Sequence, residues 1–240
     1  MSAPRAIQLN TVTTVGSPAA IDDLATRGAD LACRAFSVQG DKAFAFTRRA
    51  AAHHEAGHAV INALDGIATD YCKVKRNPHT GTLGWIGFTE ADAPWSVTPD
   101  TMPKDDCLQM RRMLAGWAAE ILLEGDDLAL GSSIDEALIA GNIAAWIAHK
   151  TGREPDRVFQ AVMVGVLADL ALHESHVCAI AALLVRERIV RGPRLQKLLP
   201  PPCSDHPIKR RYPEPLVSRM NATMVAIAAR MNAGKEGATK

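Results

Sequence analysis

Two histidines four residues apart, His54 and His58, sit inside a proline-free run from Lys42 to about Gly66, and that run sets the first fixed point of the fold. Ala, Arg, His and Val dominate it, and Ala56, Val60, Ile61 and Leu64 recur at helical spacing, so the spacing predicts a helix. Residues four apart share one helix face about 6 Å apart, so both imidazoles can reach a single ion. Glu55 lies beside the first of them, where its carboxylate can take a proton from a water that the ion has acidified. His54-Glu55-Ala56-Gly57-His58 is thus an H-E-x-x-H pattern on a helix, the arrangement of a hydrolytic zinc site. His53 points to another face and reads as a packing residue.

Catalytic zinc takes three protein ligands, so a third group must come from elsewhere in the chain. The carboxylates near helix starts or within helices are Glu120, Glu124, Asp126, Asp127, Asp135 and Glu136, and spacing alone does not choose among them.

The rest of the chain reads as mainly helical with a small sheet. Tyr71 to Arg76 and Thr82 to Phe88 are rich in β-formers and flank Asn77-Pro78-His79-Thr80-Gly81, which predicts a hairpin. Ala91 to Pro103, with three prolines, reads as a surface loop that could gate a site. Helical periodicity returns from Lys104 to Gly125, from Ile134 to about His149 behind the capping pair Ser132-Ser133, and over Val158 to Leu172 and Glu174 to Val190. Three domain-level segments result: a loosely ordered leader over 1–40, one catalytic-size domain over 41–202, and a tail over 203–240. In the tail, Leu216, Met220, Met224, Ile227 and Met231 form an apolar stripe expected to pack on the chain's own domain, and Lys209-Arg210-Arg211 reads as a solvated junction.

Charge and cysteine usage remove other classes. With 27 basic against 26 acidic residues there is no field to attract a polyanion, so no nucleic-acid partner is expected. Five scattered cysteines without a CxxC pair argue for a reducing compartment, and no secretory signal or 18-residue apolar run is present, so a cytoplasmic protein without a membrane span is expected.

The pattern His54-Glu55-Ala56-Gly57-His58-Ala59 closely resembles the peptidase domain of the FtsH family, the ATP-dependent zinc metalloproteases of bacteria and organelles. Gly81-Thr82-Leu83-Gly84-Trp85 is similar to that family's strand after the zinc helix. Ala115-Gly116-Trp117-Ala118-Ala119-Glu120-Ile121 is similar to its G-G-R-x-A-E-E helix, although Trp117 and Ile121 stand where the family has an arginine and an acidic residue. Leu130-Gly131-Ser132-Ser133-Ile134-Asp135-Glu136 looks like the segment that supplies the aspartate ligand, so the resemblance implies Zn2+ held by His54, His58 and Asp135. It extends over roughly Phe44 to Leu199, and implies a helical zincin-type peptidase fold of the α+β kind with Glu55 as the catalytic base.

On this reading Leu83, Gly84 and Trp85 line extended substrate by edge pairing, and Glu120 supports a ligating histidine from behind. The expected activity is metalloendopeptidase cleavage of unfolded or short protein substrates. The chain carries no G-x-x-x-x-G-K-[ST] phosphate loop, so the partners expected besides substrate are an unfoldase ATPase acting in trans and, as one option, further copies of the chain in a homo-oligomer. The alternative is a catalytically idle module that serves a partner ATPase; all four candidate positions being present favours the enzyme.

Overall fold

A computed structural model describes residues 47–76, 84–91, 106–124 and 134–237, with side chains except at 123, 124, 134, 135, 137, 138, 208 and 227–237. The expected leader, the 92–103 loop, the hairpin turn, Leu83 and the Ser132-Ser133 cap therefore lie outside the described residues.

Helix α1 (Arg48–Leu64) starts where the Thr47 hydroxyl accepts the Ala50 N–H. It ends at Asp65 and at Gly66, whose φ of 75° is a left-handed conformation that glycine adopts without steric cost. Nearly every side chain between is buried, so this is a central helix rather than an amphipathic surface one. Alanines at 50, 51, 52, 56, 59 and 63 keep it slim enough for neighbours on several sides. Strands β1 (Thr69–Arg76) and β2 (Trp85–Ala91) cover one side of it as the expected antiparallel hairpin. Helix α2 (Asp106–Glu124) covers another, approaching so closely that a Cβ on Gly57 would lie 2.6 Å from the Ala115 carbonyl oxygen.

Helices α3 (Ile134–Thr151) and α4 (Pro155–Leu172) pack against α2, and α5 (Glu174–Glu187) returns to α1. The chain then makes β3 (Ile189–Arg191), which pairs antiparallel with β1 and completes a sheet of order β2-β1-β3. The periodic reading carried the last core helix through Val190; instead Arg188 stops it in a left-handed conformation, φ 67°, and the next three residues are extended. A short helix, α6 (Gly192–Gln196), a 3-10 turn (Pro207–Lys209) and α7 (Glu214–Gly237) follow. Fully buried Ile61, Leu114, Ile143, Leu167 and Leu184 anchor the shared core, each contributing about 1.5–3 kcal/mol over an exposed position. The described fold is therefore mainly α with one small antiparallel sheet. Among the described residues no single helix is long and apolar enough to cross a membrane.

The segment after Pro202 is packed on this core. Helix α7 lies against α4, with Met220 buried and Leu216 and Met224 partly so, as the apolar stripe requires. Arg210, expected in solvent, is instead buried at 5% exposure. Its guanidinium donates to Asp169 Oδ2 at 2.6 Å, to Asp65 Oδ1 at 2.8 Å and to the Leu64 carbonyl at 2.9 Å. Arg111 from α2 meets the same two carboxylates, at 2.9 Å to Asp65 Oδ2 and 2.6 Å to Asp169 Oδ2. Two cations and two anions thus neutralise one another where α1 ends. Asp169→Ala, which leaves two buried guanidinium groups facing one carboxylate, should cost about 3–5 kcal/mol in denaturant unfolding.

Candidate metal centre

The helix places His54 and His58 as the four-residue spacing requires, with ring centroids 4.7 Å apart and both Nε2 atoms turned the same way, 3.0 Å from each other. The far nitrogen of each ring is occupied. His58 Nδ1–H donates to the Arg112 carbonyl at 2.9 Å, and His54 Nδ1–H donates to Glu120 Oε1. A neutral imidazole that donates through Nδ1 carries its lone pair on Nε2, so both rings present acceptors to the same point.

A carboxylate from α3 closes the group. Glu136 Oε1 lies 3.1 Å from His58 Nε2, and Glu136 Oε2 lies 3.2 Å from His54 Nε2. The ligating atoms of His54, His58 and Glu136 all fall within 4.8 Å of one another, largely out of solvent. Three such groups in so small a buried space need a positive charge between them, a proton or a cation, and the arrangement is one that could hold a metal ion. With no ion between them, the same groups pair as imidazolium and carboxylate, so a proton and a metal ion would compete for the site. Burial opposes protonation of His54, yet Glu136 and Glu120 outweigh it and raise its pKa well above the usual value. Burial likewise opposes the charge on Glu136, yet His58 and His54 hold it far below the usual carboxylate range.

The expected third ligand, Asp135, belongs to the same first turn of α3, but its side chain lies outside the described residues. The carboxylate that the described structure brings to the histidines is its neighbour, Glu136. Glu120, expected behind a histidine, is completely buried and takes that position against His54. His53, facing away, donates from Nδ1 to the Arg49 carbonyl at 2.9 Å within its own helix.

Glu55 is buried on the sheet side of α1. The Thr89 hydroxyl on β2 lies 2.6 Å from Glu55 Oε2 and 3.1 Å from the Glu55 carbonyl oxygen, so it orients the residue from either atom. Burial raises the Glu55 pKa, with His54 and His58 partly offsetting it, which moves the group toward the range where a carboxylate can exchange a proton near neutrality. Of the residues expected to line substrate, Gly84 is buried just ahead of β2 and Trp85 begins the strand, half-buried.

Two glycines outside the H-E-x-x-H pattern, Gly87 and Gly116, make room for these side chains. A Cβ on Gly87 would fall inside the contact radius of the Glu55 carboxylate, and one on Gly116 would fall inside the His54 ring. The neighbours in question, His54 and Glu55, are each held by other contacts. Gly116→Ala should therefore displace His54, weaken metal binding at least about tenfold in a chelator-competition titration, and cost about 1–3 kcal/mol of stability.

No protein-family model matches the sequence, and no curated protein matches it significantly.

Proposed function

We propose that this chain is a zinc metalloendopeptidase similar to the peptidase domain of the FtsH family. The observation that carries the reading is the convergence of two Nε2 lone pairs and the Glu136 carboxylate, with Glu55 buried alongside. Ligands about 2.0–2.1 Å from a tetrahedral zinc are separated from one another by roughly 3.3 Å. The two Nε2 atoms, 3.0 Å apart, are close to that spacing, and Glu136 offers a separate oxygen to each ring, at 3.1 and 3.2 Å. Nitrogen and carboxylate donors also suit zinc chemically, and His54, His58 and Glu136 would hold it.

Zinc bound there supplies a Lewis acid that polarises the scissile carbonyl and lowers the pKa of an attacking water. The chain's residues do the rest. Glu55 takes a proton from that water and returns it to the departing amine, while Thr89 keeps the carboxylate aligned. Glu120 holds the His54 ring in the tautomer that binds metal. Among the described strands β2 lies at the sheet edge, so an extended peptide can pair with it and pass beside Glu55, Gly84 and Trp85.

Unfolded or short polypeptides are the substrates this edge suits, with unfolding left to an ATPase in trans where folded proteins are concerned. The cysteines among the described residues are all free, which fits a cytoplasmic setting. Metal analysis of protein purified without added zinc, paired with casein digestion with and without a chelator, tests the proposal. One zinc per chain and chelator-sensitive digestion are expected; a metal-free protein, or digestion indifferent to chelator, would overturn it.

A further inference from the structure

The row of the sheet next to the one packed on Glu55 carries an unusual concentration of positive charge. Trp85 pairs across the strands with Arg76, two residue pairs along from Val74 and Gly87 and four from Cys72 and Thr89. Side chains in alternate positions share a sheet face, so Trp85 and Arg76 lie on the face that Glu55 contacts through Gly87 and Thr89. Three guanidinium groups surround that one indole: Arg48 at 5.1 Å, Arg188 at 5.6 Å and Arg76 at 6.0 Å from its centroid. Cation–π contacts occur about once per 70–80 residues, so three on a single ring is far above the ordinary density.

Two of the three arrive there against a local preference. Arg48 opens α1, where the helix dipole favours an anion, and no acidic residue occupies that first turn. Arg188 holds a left-handed backbone that glycine would adopt more easily. Among the described residues none of the three makes an ion pair; Arg48 Nη2 reaches the Leu184 carbonyl at 3.5 Å, while its Nε is buried without a hydrogen-bond partner. The connecting segment 77–83, Asn-Pro-His-Thr-Gly-Thr-Leu, contains no acidic residue either. A cluster of this kind is completed by an anion with planar, paired oxygens, which guanidinium groups grip in two places.

We infer that Trp85, Arg48, Arg76 and Arg188 form a subsite for a peptide carboxylate, about two residues along an extended substrate from the position opposite Glu55. The spacing follows from the strand, since Trp85 precedes Gly87 by two residues, roughly 7 Å. That the ligand is a peptide rests on the peptidase reading; that it is anionic rests on the arginines alone. The carboxylate can come from a Glu or Asp side chain or from a free C-terminus, and the shared chemistry is bidentate pairing over an aromatic surface.

The test uses the full-length Glu55→Gln protein loaded with zinc, so that peptides bind without being cut. Fluorescence anisotropy would compare a labelled, amidated ten-residue peptide carrying an internal Glu pair, its Gln counterpart, and the Gln peptide with a free C-terminus. The Glu peptide, the free-terminus peptide or both should bind about tenfold more tightly than the amidated Gln peptide, and the ratio should shrink as salt rises. Arg76→Gln with Arg188→Gln should bring the ratio close to one, while the matching Lys pair should keep part of it; a ratio needs no assumption about overall affinity. Equal binding of all three peptides, a preference that survives the Gln pair, or tighter arginine-dependent binding of a single-stranded oligonucleotide would each overturn the subsite. Failure of the peptidase reading looks different: no casein digestion by the wild type, whatever the acidic preference.

Discussion

Glu136→Ala should leave the purified protein with almost no zinc, while Asp135→Ala should retain it. Two imidazoles alone make a weak site, and Glu136 is the group whose two oxygens face them, one to each ring, at 3.1 and 3.2 Å. The loss should exceed the roughly 10–100-fold that changes behind the ligands cause, because a ligand itself is removed together with the negative charge that offsets the ion. Metal content by emission spectrometry and competition with a zinc chelator would measure it. The opposite pair of results would give the third position to Asp135, as the resemblance implied, and would make Glu136 a neighbour of the site rather than part of it.

Glu55→Gln should behave in the reverse manner, keeping its zinc and losing hydrolysis. An amide matches the carboxylate in shape and can still accept from Thr89, but it cannot take up a proton. Loss of a general base is worth about 10²–10⁴-fold in rate, so casein digestion should fall to the limit of detection. Burial already disfavours the charge at this position, so the neutral side chain should be tolerated with Tm unchanged or slightly raised. Hydrolysis near the wild-type rate would move the base elsewhere and end the mechanism as proposed here.

What the sequence makes legible is what depends on local spacing. His54, Glu55 and His58 fall on one turn, so a periodic pattern suffices to place them on a common helix, and the hairpin follows from turn residues between two β-rich segments. The third ligand is harder, because adjacent helical positions are about 100° apart around the axis. A one-residue choice between Asp135 and Glu136 therefore decides which carboxylate meets the rings, and neither composition nor spacing carries that rotation. Gly87 escapes notice, and Gly116 is marked only through the resemblance, for a related reason. Each matters only because a side chain far along the chain occupies the place of its absent Cβ. Arg210 is the clearest case of a local reading overruled at long range: within a basic run it looks solvated, but Asp65 and Asp169, distant in sequence, make its burial affordable. Strand β3 is only three residues long, too short for any period to show, and exists because β1 has a free edge there.

That charge lattice at the end of α1 has a practical consequence for anyone trimming the protein. Cutting after Pro202 would look like removal of an appendage, yet it would strip Arg210 from Asp65 and Asp169 and uncover the hydrophobic seat of Met220. Arg210 and Met220 act as a latch whose release would loosen the far end of the very helix that carries the histidines, so the smallest self-sufficient unit extends well into α7.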